Sequence, residues 1–302
     1  WVTGVMLAFV LCLSGCAKGE GSPSKGQAQP DSSRKAPQKA YQVEEENRQN
    51  QAKGFPPPER QVSEAQPAIA KPQEAMTKDQ MMELDRIKDK TMVFEGPKFK
   101  KQIALTFDDG PDRVFTPQIL KILKQKQVPA TFFVVGNMVR KYPDVLREID
   151  QDGHTIGNHT FNHPELTKLK LLQADMQIDQ TNQLIYQTIH KSPLLIRPPY
   201  GAIDNNLEKH FGQEGFKIIQ WSVDTRDWAG QSPDQIMATV KKEAGPGGII
   251  LQHCAGGKQL KATVKVLPGL IDYLRSQGYE FVTVDKLLDV PAYKEYTNEV
   301  NK

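Results

Sequence analysis

The chain has 302 residues and a formal net charge of +3 at pH 7, a length that allows one large domain or two small ones. This small charge, without a basic run, gives no indication of a nucleic-acid partner or of an anionic membrane as a partner. The first third is poor in aromatic residues and rich in Pro, Gln, Lys, Glu and Ser, whereas the remainder is apolar enough to form a complete core.

Residues 5–13 form a short apolar run that is typical of a secretory signal and too short to span a bilayer. An initiator Met and a basic segment are missing, so the sequence is expected to begin inside the signal. The next residues, Leu13-Ser14-Gly15-Cys16, resemble the bacterial lipobox. This resemblance implies a signal peptide over residues 1–15, cleavage before Cys16 and lipidation of its thiol, for instance with palmitate. A plain secretory signal is the alternative.

The cysteine positions agree with a lipoprotein. Cys12 would leave with the signal and Cys16 would carry lipid, so Cys254 remains as the only free thiol and no disulfide is predicted within a mature monomer. A diacylated cysteine supplies two acyl chains, which suffice for stable anchoring without a transmembrane helix.

Residues 16–75 are predicted to be a disordered linker, because they contain repeated prolines and almost no apolar periodicity. A flexible chain of this length has an end-to-end distance of about 40 Å, so it can hold a domain away from a membrane. Residues 76–99 are a lead-in segment, in which residues 76–90 favour a short amphipathic helix. Residues 291–302 are predicted to be a C-terminal tail.

Between about residues 100 and 290, apolar runs alternate with helical patterns. The predicted strands cover residues 102–107, 130–135, 154–157, 194–197, 216–221, 248–252 and 280–284. The predicted helices cover residues 116–126, 138–150, 166–190, 205–214, 232–242 and 261–277. Repeated strand-helix units imply parallel strands with helices outside. The small number of units favours an incomplete (β/α) barrel of about seven strands over the eightfold barrel. No glycine-rich dinucleotide fingerprint follows the first strand.

Two adjacent carboxylates, Asp108 and Asp109, close the first predicted strand and precede a Gly-Pro turn. Two neighbouring like charges are costly unless a metal or a cation neutralises one of them. The pair therefore indicates the edge of an active site, and a solvated Asp-Asp-Gly turn is the alternative.

Reactive residue types also follow the later strands, at the rim where parallel barrels carry their active sites. They are His159 and His163 after the third strand, Arg197 at the end of the fourth, Asp224 and Asp227 after the fifth, and His253 after the sixth.

His159 and His163 are four residues apart, a spacing that lets both imidazoles reach one metal ion. A carboxylate of the double Asp would complete a His-His-Asp set and leave a coordination position for water, as in catalytic zinc sites. Two structural or surface histidines are the alternative. The His-Glu-x-x-His pattern of metalloproteases is absent, so a base must come from elsewhere, and the other Asp of the pair is a candidate.

Five segments together resemble, in order, the motifs of the polysaccharide deacetylases, the NodB homology group or carbohydrate esterase family four. The segments are Thr106-Phe107-Asp108-Asp109-Gly110, His159-Thr160-x-x-His163, Arg197-Pro198-Pro199-Tyr200, Asp224-x-x-Asp227-Trp228 and Leu251-x-His253. The resemblance covers residues 100–290 and implies a distorted, incomplete NodB-like barrel with a metal-dependent deacetylase activity.

The resemblance also implies roles at the reacting centre. Asp109, His159 and His163 correspond to the metal ligands, Asp108 to the general base that activates the attacking water, and His253 to the general acid that protonates the departing amine. Amide hydrolysis needs a nucleophile, a stabilised oxyanion and an acid for a poor leaving group. The residues above would supply the activated water as nucleophile and the acid.

Other residues are assigned supporting roles by the same resemblance. Arg197 corresponds to the cation that holds the base carboxylate, and Asp227 to the carboxylate that orients the general acid. The backbone N–H of Tyr200 would stabilise the oxyanion together with the metal. Trp228 and Leu251 correspond to the walls of the pocket for the acetyl methyl group, although Trp228 as a core residue is the alternative.

Two positions stand apart from this scheme. Asp224 is predicted to be a turn or strand-end residue. Cys254 stands where family members often carry Asp, so a Cys-His dyad with His253 is an alternative. Because neighbours on a strand point to opposite faces, Cys254 is instead predicted to pack in the core.

The sequence thus predicts a membrane-tethered, metal-dependent N-deacetylase of the bacterial envelope that faces the cell wall, releases acetate and acts as a monomer. Peptidoglycan N-acetylglucosamine is the favoured substrate, because a lipoprotein on a flexible linker meets the wall first. The alternatives are a deacetylase of chitin-like or poly-N-acetylglucosamine polymers, an ester deacetylase of xylan type, and a non-catalytic glycan-binding lipoprotein. Zinc suits the predicted ligands, but Co2+, Ni2+ or another divalent ion remains an alternative.

Overall fold

The structure, a computed structural model, describes residues 75–295. All of them belong to one compact unit, Pro72–Lys302. The predicted signal peptide, the lipidation residue Cys16, the linker up to residue 74 and the tail from residue 296 lie outside the described residues.

Nine strands in the described part of the chain form one sheet in which every strand pair is parallel. The strands are β1 (Met92–Val93), β2 (Gln102–Asp108), β3 (Thr131–Val134), β4 (Thr155–Asn158), β5 (Leu195–Ile196), β6 (Lys217–Ile219), β7 (Val223–Asp224), β8 (Gly248–His253) and β9 (Glu280–Phe281). Their order is β1-β6-β5-β4-β3-β2-β8-β7, and β9 pairs with the beginning of β2.

The sheet curves into a barrel that is not closed. The chain runs from β6, near one end of the strand order, to β7, at the other end, through residues 220–222 alone. Four Cα steps cover at most about 15 Å, so the two ends of the sheet must face each other. The predicted incomplete (β/α) barrel of parallel strands is confirmed. The two strands that were not predicted, β1 and β7, have two residues each, too few to show a periodicity.

Nine α-helices accompany these strands in the described range. They are α1 (Lys78–Asp89), α2 (Thr116–Lys126), α3 (Gly136–Lys141), α4 (Pro143–Gln151), α5 (Leu171–Ile189), α6 (Asn205–Gln213), α7 (Pro233–Glu243), α8 (Lys261–Ser276) and α9 (Val284–Leu288). Across the described chain, no helix combines the length and the apolar character that crossing a bilayer requires.

Most predicted helices are confirmed, and the differences have local causes. The helix predicted over residues 138–150 is two helices, since Pro143 occupies the first position of α4 and Tyr142 separates it from α3. The last predicted strand ends at Phe281, because Val284 already begins α9. Ser232 is the N-cap of α7 and forms a capping box with Gln235.

The central strand β2 explains how the fold positions the predicted catalytic residues. Its residues from 103 to 108 are all buried, as expected for a parallel strand covered on both faces. Ile103, Leu105 and Phe107 pack in the core cluster beneath the outer helices, whereas Ala104 belongs to a second cluster. By alternation, Asp108 lies on the face of Ala104 and not on that of Phe107.

Candidate active site

The two carboxylates at the end of β2 point to different partners. Asp108 is the last residue of β2 and is 3% exposed. Asp109 follows with a left-handed backbone (φ 73°), which turns the chain before the Gly110-Pro111 cis peptide. Asp108 Oδ1 accepts a hydrogen bond from Arg197 Nη1 at 2.8 Å. Asp109 Oδ1 instead lies 3.5 Å from His159 Nε2, so the like charges of the pair are directed apart.

The two histidines reach Asp109 from the loop after β4. This loop turns through left-handed residues at Thr160 and His163, and the His163 N–H donates to Thr160 Oγ1 at 3.1 Å. His159 Nδ1 lies 2.7 Å from the carbonyl oxygen of Arg197. Since a carbonyl oxygen only accepts, Nδ1 carries the proton and Nε2 presents its lone pair towards Asp109.

Asp109, His159 and His163 fit a divalent metal ion. Their donor atoms all lie within 4.8 Å of one another, and His163 Nε2 is 3.3 Å from Asp109 Oδ1. Two ligands of a tetrahedral zinc ion, each 2.0–2.2 Å from the metal, are roughly 3.3–3.6 Å apart. Asp109 Oδ1 is buried and has no hydrogen-bond partner among the described residues. This orphaned oxygen between two imidazoles has the chemistry of a ligand set.

The protonation of the three groups agrees with metal binding. Burial lowers the pKa of His159 and of His163, which favours the neutral imidazoles that coordinate metals. Burial raises the pKa of Asp109, because its carboxylate has lost water without gaining a sufficient cation. A bound divalent ion would supply that charge.

Arg197 is fully buried and joins three parts of the barrel. Its Nη1 donates to both Asp108 Oδ1 and Thr106 Oγ1 at 2.8 Å. Its Nε and Nη2 donate to the carbonyl oxygens of Ile219 and Gln220, where the chain leaves β6. Burial lowers the pKa of Arg197 while Asp108 opposes this shift, and a guanidinium starts so high that it stays charged.

His253, the last residue of β8, is held by Asp227. The ring Nδ1 lies 2.7 Å from Asp227 Oδ1, and the His253 N–H donates to Asp227 Oδ2 at 2.9 Å. Asp227 is fully buried and also accepts hydrogen bonds from the Trp228 N–H and from Thr263 Oγ1. Burial alone lowers the pKa of His253, but the hydrogen bond and the charge of Asp227 prevail and raise it to about 9.

These groups meet at a pocket of about 420 Å³ at the C-terminal ends of the strands. Its lining comprises Asp108, Asp109, His159, His163, Pro198, Tyr200, Trp221, Asp224, Trp228, Leu251 and His253. Arg197 and Asp227 are not in the lining, and each is bonded to a pocket residue. The structure therefore brings every predicted catalytic, metal and substrate residue to one place. The predicted lipidation residue, Cys16, lies outside the described residues.

The predicted substrate residues differ in exposure. Tyr200 has a left-handed backbone (φ 62°), is 70% exposed, and its ring packs edge-on against His163 with centroids 4.9 Å apart. Trp228 is 51% exposed, so the alternative that it is a core residue is wrong. Leu251 is 4% exposed and contributes an apolar wall.

Asp224 and Asp227 do not follow the fifth predicted strand directly. That strand ends at Ile219. Asp224 is the last residue of β7 and Asp227 follows it, and β7 pairs with β8 on the other side of the barrel opening. Asp224 closes β7, and its Oδ1 accepts from the Arg226 N–H, a strand-end arrangement as predicted.

Cys254 faces away from the pocket. Its side chain is fully buried, and its Sγ donates to the carbonyl oxygen of Asp108 at 3.3 Å. Burial raises the pKa of this thiol well above its usual range. His253 is bonded to Asp227 instead, so the geometry gives no support to a Cys-His dyad.

The structure adds residues that the sequence reasoning missed. Thr106 and Asp108 both accept a hydrogen bond from Arg197. Thr106 stands two residues before Asp108 in β2, and alternate residues of a strand share a face, so the sequence could have indicated this contact. Thr263 donates to Asp227 from α8, 36 residues away along the chain. Nothing local in the sequence marks that contact. Trp221 joins the pocket from the connection between β6 and β7.

Comparisons with known proteins agree with this geometry. The sequence model of the polysaccharide deacetylase family matches residues 95–219. A peptidoglycan-N-acetylglucosamine deacetylase of Bacillus cereus is 44% identical over 194 residues, which cover 64% of this chain and 70% of the relative. The peptidoglycan-N-acetylmuramic acid deacetylase PdaC of Bacillus subtilis is 38% identical over 196 residues, which cover 65% of this chain and 40% of that relative.

Solved structures give the same picture. The crystal structure of the Bc1960 peptidoglycan N-acetylglucosamine deacetylase has a TM-score of 0.67 and 40% sequence identity, and the match covers 69% of this chain and 97% of that chain. A carbohydrate esterase family four pseudoenzyme from Bacillus anthracis has a TM-score of 0.61 and 29% identity, with 66% of this chain and 69% of that chain covered. Similar folds therefore occur with and without activity, which makes the completeness of the pocket decisive.

Proposed function

Because the chain belongs to the polysaccharide deacetylase family, we propose that it is a metal-dependent hydrolase that removes N-acetyl groups from cell-wall glycans. Acetate leaves and a free amine stays on the sugar. The relatives named for peptidoglycan favour peptidoglycan N-acetylglucosamine as the substrate. The observation that carries the proposal is the meeting of a metal-type triad with two carboxylate–cation pairs at one pocket.

Asp109, His159 and His163 would hold one divalent ion, and zinc suits two imidazoles with one carboxylate. When bound, such an ion supplies Lewis acidity, which acidifies a water molecule and polarises the acetyl carbonyl. The protein contributes the neutral imidazoles, the orientation of His159 through the Arg197 carbonyl, and the carboxylate of Asp109.

Asp108 is proposed to be the general base. Its Oδ1 is held by Arg197, which leaves Oδ2 to accept the proton of the attacking water at the pocket. The buried guanidinium lies 2.8 Å from Asp108 Oδ1 and cannot itself give up a proton at ordinary pH.

His253 is proposed to be the general acid. Its Nδ1 is bonded to Asp227, so Nε2 is the ring nitrogen that remains to donate a proton to the leaving amine. With a pKa of about 9, the ring is protonated at neutral pH, as an acid must be before it acts. The base and the acid are thus each held by a partner of opposite charge, Arg197 for Asp108 and Asp227 for His253.

The remaining residues are proposed to position the acetyl group. The backbone N–H of Tyr200 would donate a hydrogen bond to the developing oxyanion. Loss of one such donor typically lowers kcat on the order of 10²-fold. Trp228 and Leu251 would enclose the methyl group between an exposed ring and a buried aliphatic wall. A non-catalytic glycan-binding protein would not need this complete set.

Location at the membrane is a separate proposal that rests on the lipobox resemblance and the proline-rich linker. A monomer with a diacylated Cys16 would be anchored to the outer face of the cell membrane, and the linker would let its pocket reach the wall. Labelled palmitate should be incorporated into the wild-type lipoprotein and not into a Cys16→Ala variant. Equal incorporation in both would exclude Cys16 as the acylated residue.

The activity is tested by incubating the metal-loaded protein with wall fragments and with defined N-acetyl oligomers, followed by mass spectrometry of the products. Loss of acetyl groups is expected for the wild type, and Asp108→Asn or His253→Gln should each reduce the rate by roughly 10²- to 10⁴-fold. The matched controls are Asp234→Asn and His190→Asn, which change the same residue types at exposed positions. Unchanged release in the Asp108 or His253 variant would refute the mechanism.

A further inference from the structure

A second concave surface, which we call the lysine groove, lies between the N-terminal ends of α2 and α8 and has a volume of about 680 Å³. Residues between 112 and 118 form one wall. Residues between 257 and 265 form the other, and they include Lys258, Lys261 and Lys265. None of the proposed catalytic residues lines this groove.

The groove lies beside the catalytic pocket on the same rim. Its two walls follow β2 and β8, which are adjacent strands whose last residues, Asp108 and His253, are register partners. Three Cα steps separate Asp109 from Asp112 and five separate His253 from Lys258, so the distances are at most about 11 Å and about 19 Å. The connecting loop also passes close to the pocket, since a Cβ on Gly256 would lie 3.5 Å from Asp109 Oδ2.

The three lysines carry positive charge that no ion pair neutralises within the described residues. All three are exposed, and their spacing of three and four residues places them on one side of the segment that leads into α8. None of them forms an ion pair within residues 75–295. By contrast, several other lysines there are paired with an acid: Lys88, Lys98, Lys124, Lys126, Lys168 and Lys191.

Two further features keep the groove positive. Three lysines face only one acid in its lining, Asp112, whose Oδ1 is directed to the backbone N–H groups of Val114, Phe115 and Thr116. Helix α8 begins without a side-chain cap and without an acid in its first turn. The partial positive charge of that helix end therefore adds to the charge of the lysines.

We propose that the lysine groove binds carboxylates on the muramyl residues of the glycan strand whose N-acetyl group occupies the catalytic pocket. The inference rests on the proposed deacetylase function and deepens it. Wall glycan carries a lactyl carboxylate on every second sugar, either free or extended by an acidic peptide, whereas chitin-like polymers are neutral. Deacetylated polymers are cationic and would be repelled. The groove thus selects an acidic substrate over a neutral one.

The test compares three substrates with the metal-loaded full chain: a neutral N-acetylglucosamine oligomer, a peptide-free muramyl glycan and a muramyl glycan that bears its peptide. The triple variant Lys258→Gln, Lys261→Gln and Lys265→Gln should lose roughly three- to tenfold in kcat/KM on the acidic substrates, as expected for exposed charge pairs, and nothing on the neutral oligomer. The wild-type preference for the acidic substrates should also shrink as salt is raised.

A matched control removes the same number of charges elsewhere, with Lys100→Gln, Lys209→Gln and Lys286→Gln at exposed positions outside the groove. This control should keep wild-type selectivity. A loss on the peptide-free glycan identifies the lactyl carboxylate as the ligand, and a loss confined to the peptide-bearing glycan identifies the peptide carboxylates. Unchanged selectivity in the groove variant, or an equal loss in the control, would overturn the inference. If the wild type releases acetate from none of the substrates, the proposed function itself fails.

Discussion

Two carboxylate–cation pairs, Asp108–Arg197 and Asp227–His253, each contribute one side chain to the pocket. The pairs differ in the solvent exposure of their side chains. In the first, Asp108 and Arg197 are both buried, with side chains that are 4% and 0% exposed. In the second, Asp227 is fully buried, but the His253 side chain is 13% exposed and faces the pocket. The first pair places its carboxylate at the pocket and hides its cation, whereas the second pair does the reverse.

This reversal assigns the two pairs different chemistry. A guanidinium cannot lose its proton at ordinary pH, so Arg197 can only hold Asp108 and cannot enter proton transfer. An imidazole changes charge near physiological pH, so the buried Asp227 can tune a group that both carries and releases a proton. In the proposed mechanism, the member of each pair that lines the pocket performs the proton transfer, and the other member holds it in place.

The largest effect is expected from breaking the fully buried pair. Arg197→Met leaves Asp108 buried without its cation and leaves the carbonyl oxygens of Ile219 and Gln220 without their donors. The free energy of unfolding of the metal-free protein should fall by about 3–5 kcal/mol, as measured by urea denaturation. A double variant with Asp108→Asn should recover part of this loss, because it removes the unpaired charge.

The exposed pair of Arg113 and Asp144 supplies the control for that experiment. These two side chains are 63% and 51% exposed, and their atoms lie 2.9 Å apart. Arg113→Met should therefore cost less than about 1 kcal/mol. Similar losses in the Arg113 and Arg197 variants would mean that burial does not distinguish the pairs.

A smaller effect, visible in the pH dependence, is expected from neutralising Asp227. Asp227→Asn removes the carboxylate whose hydrogen bond and charge raise the pKa of His253 to about 9. In the proposed mechanism His253 acts in its protonated form, so kcat/KM of the wild type should decline only as the pH rises through about 9. In the variant, the decline should move towards the ordinary histidine pKa near 6.5, a loss on the order of 30-fold at about pH 8.

Stability should respond with the same sign. A pKa that is raised in the folded protein means that the paired His253 contributes stability fully below the unfolded pKa of about 6.5 and loses it as the pH rises through about 9. Thr263→Val is the matched control, since it removes a neutral donor to Asp227 and leaves the charge. A basic limb that moves as far in the Thr263 variant as in Asp227→Asn would refute the electrostatic explanation.

The sequence predicts the pocket-facing members of these pairs better than the contacts behind them. Asp108 and His253 each close an apolar run, so their place at the rim follows from strand direction alone. The family resemblance then names Arg197 and Asp227 as partners. No local pattern reveals that Arg197 also bonds the chain leaving β6, or that Thr263 reaches Asp227, because these contacts join segments far apart in the sequence.

The short elements were missed for a different reason. Strand β7 has two residues, and the preceding three residues cross the opening of the barrel. A stretch of that length carries no periodicity, so residues 216–221 were predicted as the strand before Asp224 and Asp227. The prediction placed these side chains at the correct rim but after the wrong strand. Chain direction alone decides at which rim a residue lies, whereas the identity of the strand before it depends on tertiary pairing.

The smallest effect is expected at Cys254. It follows His253 directly, and its Sγ donates to the backbone carbonyl of Asp108. The thiol is fully buried, and the same burial raises its pKa well above its usual range, so it is neither ionised nor accessible. Cys254→Ala should keep kcat/KM within about twofold and lose about 1–2 kcal/mol of stability through a small cavity and a lost weak hydrogen bond.

Alkylation gives an independent measurement of the same point. A maleimide applied to the native, metal-loaded protein should leave Cys254 unmodified and the activity intact, because a buried neutral thiol is a poor nucleophile. A correctly folded Cys254→Ala protein without turnover, or rapid inactivation by the maleimide, would instead make this cysteine part of the chemistry.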